Sequence, residues 1–163
     1  MGTPDRRPAA LGNRTIISLS SREKHRQVEQ KRLDATKNSK ERNRSGQFAT
    51  PFALACEIAH YIKDLWTPQT PVRLLEPSIG TGAFYSAMES VFSETEIYEA
   101  VGVEIDPPIA DVARQLWNPT GLRVIQGDFT QVEPNSPGQF NLILANPPYV
   151  RHHHLSREQK NDL

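Results

Sequence analysis

The chain has 163 residues, enough for one domain, and a low mean hydropathy of -0.57 that leaves part of it outside any packed core. Its 19 Lys and Arg cancel its 19 Asp and Glu, yet the charge is split: residues 1–45 carry 12 basic against 5 acidic side chains, and the remainder carries the opposite excess. One cysteine, Cys56, excludes an internal disulfide framework and a cysteine-rich zinc site. The sequence has no apolar run of membrane-spanning length and no secretory leader pattern, which leads to the expectation of a cytoplasmic protein without a membrane partner.

Residues 1–44 read as a basic N-terminal arm. From Ser21 to about Asn43 helix formers dominate, but Val28 and Leu33 are nearly the only apolar residues, so no proper stripe is available for burial. The expectation is an exposed helix, or a segment disordered until a partner binds. Such an arm fits a nucleic-acid contact and equally a solvated tail.

The remainder, residues 45–163, opens at Gly46. Thr50 followed by Pro51 predicts a helix start, with the hydroxyl as cap and proline in the first turn. Phe52, Ala55, Cys56, Ala59, Ile62 and Trp66 recur at helical spacing, and Cys56 among them reads as a buried thiol. Strands and helices then alternate. Strands are expected at 72–76, 97–105, 122–126 and 140–145, with helices at 83–92 and 109–117 between the first three. Alternation of this kind gives a parallel sheet with right-handed crossovers, and ligands bind at the carboxyl ends of its strands.

Each of those ends is polar. The first strand finishes in Glu76 and a loop with Gly80 and Gly82, where backbone can approach a ligand. Tyr85 stands where a dinucleotide fingerprint needs its third glycine, and Glu76 would repel a phosphate while suiting an ammonium or sulfonium. Glu104 ends the second strand at the spacing that grips ribose hydroxyls. Asp128 and Phe129 end the third, an acceptor for an exocyclic amine beside a ring that packs on a base. Together they describe a nucleoside without phosphate and with a positive centre. The fourth strand delivers Asn146-Pro147-Pro148-Tyr149, which cannot continue a ladder. It forms a stiff loop suited to a planar group bearing an amine.

The series Gly46-Gln-Phe-Ala-Thr-Pro51, Leu75-Glu-Pro-Ser-Ile-Gly-Thr-Gly-Ala-Phe84, Val103-Glu-Ile-Asp-Pro107, Gly127-Asp-Phe129 and Asn146-Pro-Pro-Tyr149 resembles the amino-methylating DNA methyltransferases, in particular the adenine-specific methylases of restriction–modification systems. The resemblance spans roughly residues 45–155. It implies an α/β, Rossmann-like class I S-adenosylmethionine-dependent fold with a doubly wound, mainly parallel sheet, incomplete at the C-terminus. It further implies that Thr50 lies near the methionine carboxylate of S-adenosyl-L-methionine and that Glu76, Gly80 and Gly82 line its methionine end. Glu104 would hold the ribose, and Asp128 with Phe129 the adenine. Asn146 and the Pro147 carbonyl would accept from the N6 amine of a flipped DNA adenine, with Pro148 stiffening the loop and Tyr149 stacked on the base.

The four-residue motif also occurs in methyltransferases of protein glutamine amides and RNA guanine amines. The chain further reads as truncated, without a C-terminal target-recognition domain, so an inactive remnant or one half of a split enzyme stands beside the active-enzyme reading. His152–His154 sit consecutively on a loop and cannot easily converge on one metal ion. They fit a solvated or DNA-facing loop, where Arg151 could reach a phosphate.

Overall fold

The computed structural model describes residues 19–36, 48–67, 69–131 and 140–147. Four strands, β1 (Val72–Glu76), β2 (Ile97–Glu104), β3 (Leu122–Gln126) and β4 (Leu142–Ile143), form one sheet in the order β3-β2-β1-β4. Every pairing is parallel. Leu74 and Leu75 of β1 pair with Leu142 and Ile143 on one side and with Ala100 and Val101 on the other, so the chain reverses its direction of travel across the sheet at β1. A crevice opens at such a switch point.

Among the described residues four α-helices accompany the sheet: α1 (Ser21–Thr36), α2 (Phe52–Leu65), α3 (Ala83–Val91) and α4 (Pro107–Trp117). The apolar positions expected on α2 are used as its period dictates. Ala55, Cys56 and Ala59 are buried, and Phe52, Ile62 and Trp66 pack at the core's edge. Burial pushes the Cys56 thiol pKa up, as befits a structural thiol. Burying α4's Ala110, Ala113, Leu116 and Trp117 against β2 and β3 seats that helix on the sheet.

Three expectations are corrected. Pro51 is the N-cap of α2, with no side-chain cap bond, so Thr50 is one residue too early and its hydroxyl is released for another use. Capped by Asp106, α4 begins at Pro107, two residues before the start expected at 109. Asp106 accepts from the Ile109 N–H, and prolines in the first turn forfeit only donors a helix start leaves unpaired. The ladder of β4 is also short, two residues against the six expected. At its start Asn141 donates its backbone N–H to Arg73 O and adds its side chain to the same strand edge, accepting from Arg73 N and donating to Pro71 O.

The largest departure is α1. Predicted as exposed or disordered, it is a helix docked on the body, packed against α4. Its buried stripe is mostly polar: Glu23, Arg26 and Leu33 are 1%, 3% and 7% exposed. Arg26 donates from Nε and Nη2 to the two carboxylate oxygens of Glu23, each at 2.7 Å, and Ser86 Oγ on α3 donates to Glu23 at 2.6 Å. Arg22 lies over the Trp117 ring at 5.9 Å. A search for apolar periodicity passes over a helix that docks through a buried ion pair. Removing either partner of such a pair costs about 3–5 kcal/mol, because the other is left charged and buried.

Candidate functional site

A cavity of about 370 Å³ opens at the carboxyl ends of the strands. Of the residues expected to form a site, Gly80, Glu104, Asp128 and Phe129 line it from the strand ends, and Thr50, Asn146 and Pro147 from its other side. Glu76 and Gly82 do not line it. Pro148, Tyr149, Arg151 and His152–His154 lie outside the described residues.

The two glycines have different reasons for being glycine. Gly80 has φ +58° and faces open space, so the backbone itself forms the cavity wall. Gly82 has φ +87°, and a Cβ there would meet Trp117 Nε1 at 2.3 Å. That indole N–H donates to Thr81 O at 2.7 Å, so Trp117 clamps the loop from beneath. Gly102 on β2 likewise admits Ile79, whose Cδ1 would lie 2.4 Å from an added Cβ. The loop thus crosses close over the sheet, tied by Ile79 N to Val103 O.

Glu104, 7% exposed, accepts from Gly80 N and Asp106 N, each at 2.9 Å. It therefore joins the glycine loop to the start of α4 as well as lining the cavity. Asp128 Oδ1 accepts from the backbone N–H and the hydroxyl of Thr130, a local turn that fixes the carboxylate beside the half-exposed Phe129 ring.

Asn146 is held by its amide nitrogen, which donates to Phe48 O at 3.2 Å and to Thr50 Oγ1 at 3.1 Å. Because a backbone carbonyl can only accept, the nitrogen must be the end that faces it, and the side-chain oxygen points the other way. The Phe48–Pro51 segment, nearly a hundred residues upstream, thus orients the amide.

Glu76 is 1% exposed, and among the described residues neither carboxylate oxygen has a hydrogen-bond partner of good geometry, the Tyr85 N–H being its nearest donor; Ser78 Oγ, on the cavity side of the same turn, also lacks one. Burial pushes the Glu76 pKa up to about 8. Orphaned acceptors of this kind in a buried turn are what a cationic ligand group would satisfy. Acids at two further strand ends, an exposed ring and an oriented amide fit a ligand that is part nucleoside, part cation. Among the described residues no three His, Cys, Asp or Glu side chains converge as metal ligands, and no helix is long and apolar enough to cross a membrane.

A parallel sheet ordered β3-β2-β1-β4, with a glycine loop after its first strand, is the fold of the class I S-adenosylmethionine-dependent methyltransferases. A Listeria monocytogenes protein assigned to that class superposes with a TM-score of 0.61 over 78% of this chain and 38% of its own, at 14% identity. No protein-family model matches the chain. Within the class, the chain is related to the type II methyltransferases. It is 34% identical over 112 residues to type II methyltransferase M.CvrRI of Paramecium bursaria Chlorella virus XZ-6E, and 31% identical over 119 residues to M.HincII of Haemophilus influenzae. Those matches cover 69% and 72% of this chain but span only 26% and 20% of the two relatives.

Sequence reasoning missed Arg26, Gln30 and Thr81, which also line the cavity. Thr81 was within reach as the residue between the two glycines. Arg26 and Gln30 had no motif to mark them.

Proposed function

We propose that this chain forms the cofactor-binding and catalytic-motif portion of a DNA adenine methyltransferase of a restriction–modification system. It would transfer a methyl group from S-adenosyl-L-methionine to the N6 amine of an adenine flipped from the duplex. The observation that carries the reading is the anchored Asn146 amide, whose nitrogen is committed to Phe48 and Thr50. Similarity to type II methyltransferases supports DNA as the substrate.

The bound cofactor supplies a methyl group on a sulfonium, the electrophile. In this reading Glu76 faces the ammonium of its methionine, Glu104 the ribose, and Asp128 with Phe129 the adenine ring. Asn146 Oδ1 and the Pro147 carbonyl accept from the target amine. An adenine amine is a weak nucleophile because its lone pair is delocalised into the ring. Two acceptors held out of the ring plane draw the nitrogen toward tetrahedral geometry and stabilise the positive charge that grows on it. Transfer would leave the donor as a neutral thioether, its electron pair returned to sulfur, and the amine held by Asn146 and the Pro147 carbonyl would release one N–H proton to solvent. Most of the remaining acceleration is positioning. Flipping is required because the amine is otherwise engaged in the duplex.

The test offers the chain methyl-labelled S-adenosylmethionine with DNA, RNA and a glutamine-bearing protein substrate, followed by nucleoside digestion and mass spectrometry. Label in N6-methyladenine is expected, lost in Asn146→Ala with cofactor affinity nearly unchanged. Label in guanine or in glutamine would overturn the DNA reading. Cofactor binding without transfer to any substrate would instead mark the chain as a remnant or one half of a split enzyme.

A further inference from the structure

Helix α1 places a second kind of charge in the cavity. Among the described residues that line it, Asp34, Glu104 and Asp128 are acidic and Arg26 is the single cation. Glu23, Arg26, Gln30 and Leu33 fall three or four residues apart and so share one face of α1. That face meets the glycine loop at Thr81, whose hydroxyl accepts from Arg26 Nη1 at 3.0 Å and donates to Gln30 Oε1 at 2.7 Å.

A buried ion pair is a poor way to dock a helix. Desolvation of both charges offsets most of their attraction, and apolar residues of similar volume usually hold as well or better. Its presence here calls for a use of the charge itself. The guanidinium spends Nε and one N–H of Nη2 on Glu23 and one N–H of Nη1 on Thr81. Among the described residues one donor remains on each terminal nitrogen after those bonds, on a side chain 3% exposed whose position is locked by Glu23, Ser86 and Thr81. Pairs of N–H donors on a fixed guanidinium suit a carboxylate.

We propose that Arg26 binds the terminal carboxylate of the cofactor, making α1 a wall of the cofactor site. The inference rests on the S-adenosylmethionine reading above. That ligand carries two positive groups, a sulfonium and an ammonium, and one negative group, the methionine carboxylate. In that reading Glu76 answers the ammonium, and Arg26 is the one cation among the described lining residues that can answer the carboxylate. Thr50, the other residue expected near that carboxylate, accepts from the Asn146 amide and keeps its own O–H, so it can add a neutral donor to the same group but no charge.

Titration calorimetry on the full chain decides the point with two ligands, S-adenosylmethionine and its decarboxylated form, which keeps the adenosine, sulfonium and ammonium. The unaltered chain should prefer the carboxylate-bearing ligand by about tenfold or more, the scale of a charge-assisted hydrogen bond. In Glu23→Gln/Arg26→Gln, which leaves no unpaired charge on the stripe, that preference should collapse to about twofold while the decarboxylated ligand binds as before. Equal affinity of the unaltered chain for both ligands overturns the assignment and leaves the cofactor reading intact. So does a preference that survives in the double variant. Binding of neither ligand to the unaltered chain overturns both. Should the double variant fail to fold, Arg26→Lys replaces it: the charge beside Glu23 is kept and the two-donor fork is lost, so the preference should fall severalfold, and a preference equal to that of the unaltered chain overturns the assignment.

Discussion

Glu76→Gln removes a single ionisable proton at constant shape from the most deeply buried acid at the strand ends. In the folded chain that carboxyl has a pKa of about 8, against 4.5 for the ordinary value, because burial penalises the ionised form. Between those two values the folded chain holds a proton at Glu76 that the unfolded chain has lost. Stability is therefore fully present below about pH 4.5, falls by up to about 1.4 kcal/mol per pH unit as pH rises, and levels off above about 8. Integrated over the window, the loss is roughly 5 kcal/mol as an upper bound. Relaxation of the glycine loop and entry of water reduce it to about 2–4 kcal/mol. Urea unfolding of the two proteins at about pH 5 and pH 8.5 measures it. The comparison is one of slopes, since a buried amide has a desolvation cost of its own that does not vary with pH. The unaltered chain should lose stability across this interval relative to Glu76→Gln. Parallel pH profiles for the two proteins would refute the argument.

Ligand binding should turn the same residue around. An ammonium beside Glu76 favours the carboxylate, so S-adenosylmethionine should bind more tightly from about pH 6 to pH 8 and release a proton as it does so. Calorimetry in buffers of different ionisation enthalpy reads that proton, and its absence would remove Glu76 from the ammonium. Gly82→Ala forces a Cβ into Trp117 at a left-handed φ; about 3 kcal/mol of destabilisation is expected, a fall of roughly 6–12 °C in melting temperature, and an unchanged Tm would contradict it. Thr50→Val deletes an acceptor of the Asn146 amide. Methyl transfer should drop about fivefold with cofactor affinity nearly constant, whereas a loss confined to affinity would assign Thr50 to the ligand.

How far the sequence could be read depended on what each segment buries. The first three strands lie within the sheet or bury an apolar face, so runs such as Val72–Glu76 and Leu122–Gln126 carry their own boundaries. Strand β4 could not be sized, because its end is decided by Asn141 bonding to a strand nearly seventy residues earlier. Helix α1 was illegible for a different reason. Its docking face is written in Glu, Arg and Gln, and hydrophobic periodicity records only apolar burial. At the site, Glu104, Asp128 and Asn146 were visible as polar residues interrupting apolar strands. The second role of Gly82 was not, since nothing local connects it to Trp117.

The attachment of Asn146 has a consequence for how the site comes apart. Glu76 and Glu104 end the two inner strands, each laddered on both sides, whereas Asn146 follows a strand that keeps only two register pairs and leaves Ile143 60% exposed. Opening free energies within one fold track such differences in burial and pairing. Under mild denaturant the edge carrying Asn146 should therefore exchange its amide hydrogens well before the strands that carry the acids. If the site works as proposed, grip on the methyl donor and grip on the methyl acceptor are separable stabilities, and the second is the one that an ordering partner would raise most.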